Sequence, residues 1–373
     1  MQRAVLLTTA ACVVCTGTVV YFGKVIGIKG ETYREQAIYG AEKMSISYEN
    51  DADSYFRVDI SENLDNYPMF WGLSCMRCFQ SVVNPSIMDF YESIGISRDV
   101  SSRADISSYT LRGLFSVKYY FDQIKEDENG EEIRTALELP GFVFDREENG
   151  FRIYRNDYYI PMGFAYDYYV AEDVLEDKSD AVKEHVLIKA LVLDETQAEK
   201  YADIIENVPQ DALAVSETQY LEECTLRREQ SCTDFSYDSK GFVANIGLDA
   251  PKLVFFSVPY ESGWTATVNS IPVDVERVSN GFMAVRCEAG ENEIIFSYEL
   301  PGLRYGLYLT LFGLVLLVLY MAFSKPLFSA KRGTQQYCYD YTSASGVRAA
   351  KAYAYHLAKH DTQKDITVKE DED

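Results

Sequence analysis

The residues in this chain best suited to chemistry lie in one short stretch, from Ser257 through Pro259, Tyr260, Glu261 and Gly263 to Trp264. Sugars stack on aromatic faces and hydrogen-bond to carboxylates, so Tyr260, Glu261 and Trp264 form a candidate carbohydrate-binding set. The commoner use of such residues is a tight turn shaped by Pro259 and Gly263, its rings covering an apolar core. Arg57, in the alternating stretch from Tyr55 to Ile60, is a candidate phosphate-binding residue, because a guanidinium matches phosphate oxygens. In a chain with 58 acidic and 35 basic residues, a structural ion pair is the commoner fate of such an arginine.

Other candidate groups carry less. Cys75 and Cys78 form a CxxC, but no second CxxC accompanies them, so buried thiols are favoured over zinc or redox use. His356 and His360 stand four residues apart, a spacing that could hold a metal on one helix face, yet no third ligand is evident and no metal site is assigned. His185 stands alone beside an apolar run. No Ser-His-Asp set, phosphate loop or dinucleotide glycine pattern occurs. The acids within 124–132 and 171–180 suit solvated loops, and no spacing marks a glycosidase pair. No catalytic residue is assigned, and no cofactor is evident.

Two uncharged apolar segments frame these residues, Ala4 to Phe22 and Tyr305 to Phe323. Each is long enough to cross a bilayer core of about 30 Å as a helix. Cleavage of the first as a signal peptide is the alternative, but its apolar run exceeds the usual core of such a peptide. The expected fold is a membrane-anchored α+β protein. It has a first span and flank (1–30), an extracytoplasmic α+β domain (31–239), a small antiparallel β-sandwich (240–303), a second span (304–324) and a cytoplasmic tail (325–373). Basic residues flank both spans, and both termini are placed in the cytoplasm.

Within the large domain, Tyr55 to Ile60, Leu114 to Phe121 and Phe151 to Tyr154 read as strands. Pro85 to Ile94 reads as a helix stopped by Gly95. Val186 to Leu193 suits a buried strand or helix, and Thr196 to Ile205 a helix. From 240 onward, short strands alternate with turns: Lys252–Ser257, Thr265–Val268, Val273–Val278, Met283–Cys287 and Glu293–Tyr298. In the tail, Thr334 to Ser345 is polar, and Gly346 to His360 suits a helix. Residues 31–324 hold 24 basic and 51 acidic residues, a net of −27. Such a surface repels nucleic acid, leaving membrane lipid as the partner the spans imply.

The segment from Phe255 to Gly313 resembles the end of the YfhO family of bacterial membrane proteins. There a strand enters a Ser-x-Pro-Tyr-x-x-Gly-Trp turn, a small sandwich follows, and a Tyr-x-x-Pro-Gly step leads into the last span. The matching residues are Ser257, Pro259, Tyr260, Gly263, Trp264, Tyr298, Pro301 and Gly302. Tyr55 to Val58, Leu114 to Tyr120 and Val143 to Tyr166 look similar to earlier parts of the family. The resemblance implies a multispanning GT-C glycosyltransferase of the bacterial cytoplasmic membrane. Such an enzyme takes a sugar from undecaprenyl phosphate and attaches it to a cell-envelope glycopolymer such as lipoteichoic acid. This sequence departs from that pattern, because one span precedes the large domain and the family's catalytic acid is expected between early spans. The simplest account is the extracytoplasmic, C-terminal portion of such a transferase, from a truncated gene or as one half of a split protein whose multispanning partner supplies those helices. The alternative is a non-enzymatic, membrane-anchored envelope binding or scaffold protein.

Overall fold

The computed structural model describes residues 2–329 except 31–32, 52–54, 102–103, 128, 130–131, 134–136, 210–212 and 214–215, together with Lys351, Tyr353 and Ala354. The predicted features from Thr334 to Ser345, and the histidines of the predicted helix Gly346 to His360, lie outside the described residues. The chain divides into two units, residues 1–301 and 302–373. The helix Gln2–Lys29 opens the first, and the helix Leu303–Ser329 lies in the second. The apolar windows Thr8–Val25 and Leu303–Phe323 are not buried inside the protein at all. Helices of this length rise far enough to cross a bilayer, which would cover that apolar surface.

The first sheet is built from β1 (Arg57–Ile60), β2 (Ser74–Cys75) and β3 (Val117–Gln123); a hairpin of β4 (Lys125–Glu126) and β5 (Glu132–Ile133) precedes its last strands, β6 (Phe142–Glu148) and β7 (Phe151–Asn156). The order is β2-β1-β3-β7-β6, with β1 parallel to both β2 and β3 and the others antiparallel. After β8 (Phe164–Tyr166) comes a small parallel sheet of β9 (Tyr168–Ala171), β10 (Ala190–Leu193) and β11 (Glu206–Asn207), ordered β10-β9-β11. The helix Asp180–Lys189 lies on the crossover from β9 to β10.

The remaining strands are β12 (Asp234–Tyr237), β13 (Gly241–Leu248), β14 (Lys252–Pro259), β15 (Trp264–Val268), β16 (Ile271–Val273), β17 (Glu276–Val278), β18 (Phe282–Cys287) and β19 (Gly290–Tyr298). They form two antiparallel sheets, β12-β13-β19-β15-β16 and β17-β18-β14-β8. Thus β8, from well before position 240, joins the later strands. The two sheets share one apolar cluster that includes Phe242, Phe256, Val285 and Phe296. The second sheet is covered on its other face too, where Leu253, Phe255, Phe282 and Ala284 join a cluster with the parallel sheet and its helices. That double burial explains why β14 and β18 read as continuous apolar runs. In β13, covered on one face, Phe242, Ala244, Ile246 and Leu248 alternate with less buried residues.

Several boundaries differ from the sequence reading. The predicted strand Leu114 to Phe121 begins only at Val117: Leu114 closes the helix Thr110–Leu114, and Ser116, at φ 56°, turns the chain. Val186 to Leu193 is helix to Lys189 and strand from Ala190. The predicted helix Thr196 to Ile205 ends at Lys200. The predicted strand Val273 to Val278 is two strands, because β16 pairs with β15 in one sheet and β17 with β18 in the other. The helix Pro85–Ser93 falls where its signals put it. The Asn84 side chain accepts from Ser86 N, Pro85 occupies the first turn, and Gly95 stops the chain at φ 73°.

Candidate functional site

Two backbone irregularities meet at Arg57. The β1–β3 register shifts between Arg57 and Val58, and the β14–β18 register shifts between Phe256 and Pro259. Bulges redirect side chains, and a proline within a strand marks such a place. Here they bring Arg57 onto Ser257. Arg57 Nη1 donates to Ser257 Oγ at 2.7 Å and to the Phe115 carbonyl at 3.0 Å, while Nη2 donates to the Ser257 carbonyl at 2.9 Å. The guanidinium lies 5.8 Å from the Tyr55 ring centre. The predicted phosphate ligand therefore first ties the first sheet to β14, while its charge lines a cleft on either side.

One cleft has a volume of about 320 Å³ and an aromatic lining. Tyr55 meets Tyr237 edge to face at 5.4 Å, and Trp264 meets Tyr298 at 5.0 Å. Lys240 and Asp238, on the turn between β12 and β13, add one charge of each sign. Trp264 also touches Phe242 at 5.7 Å and Phe296 at 6.1 Å, so its half-buried ring both caps the core and lines the cleft. The two sequence readings of this tryptophan meet in one position.

Tyr260 and Glu261 do not line that cleft. The Tyr260 N–H donates to Gly281 O at 2.8 Å, and the Tyr260 carbonyl accepts from Ser86 Oγ at 2.7 Å. Glu261 accepts from Asn84 Nδ2 at 2.7 Å and from the Tyr298 hydroxyl. That bond keeps the Tyr298 hydroxyl protonated above its ordinary range. Glu261 thus orients an aromatic residue of the cleft without lining the cleft itself. The turn holding these residues leaves no room for side chains: a Cβ at Gly263 would sit 2.3 Å from Glu299 O, and one at Gly281 would sit 2.2 Å from Ser86 O.

The second cleft, about 230 Å³, is lined by Arg57, Arg98, Cys75 and Cys78 among others. Both cysteines are free and half-buried. Burial pushes both thiols up, so neither is poised as a thiolate nucleophile. No group of three metal-ligating side chains occurs among the described residues. His185 is half-buried beside Tyr109, whose hydroxyl lies 3.1 Å from Nε2. His356 and His360 fall outside the described residues.

Sequence reasoning reached Arg57 and Trp264 but not their partners Tyr55, Tyr237 and Lys240. Those come from strand ends and a turn far apart in sequence, and the tertiary packing brings them together.

A family model described as bacterial membrane protein YfhO matches residues 4–223 and 212–310. A curated relative from Bacillus subtilis (strain 168), described as uncharacterized protein YfhO, is 27% identical over 79 residues. That stretch is 21% of this chain and 9% of the relative's length. No solved structure matches.

Proposed function

This chain belongs to the YfhO family of bacterial membrane proteins, and we propose that its large domain holds a cell-envelope glycopolymer for a membrane glycosyltransferase. The observation that supports this is the aromatic cleft, which Tyr237, Trp264 and Tyr298 line beside Arg57 and Lys240, because aromatic walls suit sugars. The acceptor is a polymer such as lipoteichoic acid, and the donor an undecaprenyl-phosphate sugar. Sugar transfer itself needs a group within about 3 Å of the reacting proton, in a membrane groove that excludes water. Two helices do not enclose such a groove, so further membrane helices, in a longer form of this protein or in a multispanning partner, supply it. The domain faces outward and both termini face the cytoplasm. A cysteine introduced at Asn245 should therefore label in intact cells and one at Gly346 only after permeabilisation; the reverse pattern contradicts this orientation.

The chain's two tryptophans make the binding step measurable. Trp71 is buried and donates Nε1 to Gln36 O at 3.1 Å, whereas Trp264 lines the cleft. Lipoteichoic acid added to the full chain in detergent should change Trp264 emission in a saturable way, and Trp71→Phe should retain the change. An unchanged spectrum, or a change carried by Trp71, would overturn the assignment.

A further inference from the structure

We propose that the cleft on the other side of Arg57 is a phosphate-binding site, with Arg98 as its main ligand. Arg57 and Arg98 both line it, and no carboxylate occurs among its described lining residues. That is a notable exclusion in a chain with 58 acidic residues. A concave site with two guanidiniums and no acid concentrates anions. Arg57 spends its hydrogen bonds on Ser257 and Phe115, so it supplies charge and rigidity. Arg98 is differently placed. Its side chain lies over the Tyr91 ring at 5.8 Å and hydrogen-bonds Cys78, while Nη1 lies a long 3.5 Å from Asp99 O and 3.7 Å from Met88 Sδ. Its Nε is buried and has no hydrogen-bond partner among the described residues. A buried donor left without an acceptor is destabilising, and an entering phosphate oxygen would relieve that.

The lining fits such a ligand. Gln80, at the exposed mouth, can add an amide donor, and Ile87 and Phe282 give an apolar wall for the carbons next to a phosphate. Cys78 reports the local field: Arg98 and Arg57 both act to lower its thiol, although burial outweighs them and Asp65 opposes them. The ligand chemistry is a phosphate ester, carried either by a lipid headgroup or by a soluble phosphate polymer. The proposed function guides only the choice of probes, because the site stands on residues outside the aromatic cleft apart from the shared Arg57.

Cys78 gives a native readout, since it is half-exposed in this cleft. The full chain in phosphate-free maltoside micelles is alkylated with a neutral maleimide, and Cys78 is followed by peptide mass spectrometry. One arm adds a soluble glycerol-phosphate oligomer. The other adds undecaprenyl phosphate to the micelles, with undecaprenol as the uncharged control. At a probe concentration ten times its Kd, alkylation of Cys78 should slow about tenfold, because only the unliganded fraction reacts. Protection by the oligomer assigns a polymer phosphate, and protection by the phosphorylated lipid alone assigns a headgroup; either supports the site. Arg98→Gln should abolish protection, and Arg98→Lys should retain part of it. Gln80→Glu, at an exposed position and so without risk to folding, should weaken protection at least tenfold by adding a like charge to the ligand. Absence of protection in both arms, protection by undecaprenol, or equal protection in Gln80→Glu and wild type would overturn the inference. Trp264 emission on lipoteichoic acid addition should persist in Arg98→Gln. Loss of one signal without the other therefore tells failure of this site from failure of the aromatic one.

Discussion

The first sheet and the last two sheets stabilise themselves by opposite means. The late sheets share a core of stacked and tilted rings; Phe242 and Phe296, for example, stack at 4.4 Å. The first sheet carries a buried charge cluster beside its apolar side chains. Asp59, 1% exposed, accepts from Arg112 Nε at 3.1 Å and Nη2 at 2.9 Å, with Arg77 Nε 3.7 Å away. Arg112, itself fully buried, also donates to the carbonyls of Asp105 and Ser108. An apolar core tolerates losses in proportion to the area removed, whereas a buried ion cluster fails at once when one member goes. Arg57 belongs to the first region by sequence and to the second by its bond to Ser257. Both clefts lie along that seam, where a charge from one region meets the surfaces of the other.

The contrast can be broken most sharply at Asp59. Asp59→Ala leaves Arg112 buried without its carboxylate and should cost about 3–5 kcal/mol in denaturant unfolding of the full chain. A cost near zero would mean the cluster is not what holds the first sheet. In the late sheets, Trp264→Ala should cost about 3 kcal/mol, and Trp264→Phe clearly less, since a ring would remain over Phe242 and Phe296. A loss below about 1 kcal/mol for Trp264→Ala would make the ring a sugar platform alone. The smallest expected effect is at His185, whose ring burial holds below its ordinary range. The unfolded chain takes up this proton first as pH falls through about 6.5. Stability due to the neutral ring is thus complete above that pH and lost as pH falls through the lower folded value. His185→Gln should flatten the dependence of Tm on pH below 6.5; parallel curves would contradict the shift.

The same contrast explains what the sequence made legible. Regular turns such as Asn269-Ser270 and Ser279-Asn280-Gly281, whose Asn and Ser residues adopt positive φ, punctuate the late strands, and most of those strands could be placed. The sequence missed β13, although its alternation is clear, and β8, which joins the facing sheet beside β14 from far upstream. In the first region nothing local in the sequence marks Asp59, Arg77 and Arg112, because a paired buried ion is not distinguished from a solvated one by its neighbours. Arg57 and Trp264 could be named from the sequence as candidates. Their meeting across a seam could not, since it depends on two register shifts that strand propensity does not encode.

The central proposal is that residues 1–373 hold a glycopolymer and need further membrane helices for sugar transfer. The most direct test incubates purified residues 1–373 with an undecaprenyl-phosphate sugar and lipoteichoic acid and measures glycosylated product. The account predicts none from the chain alone, with transfer arising only when a multispanning membrane partner is added. Turnover by the chain alone, abolished by replacing one carboxylate within residues 31–303, would contradict it and make this domain an enzyme in its own right.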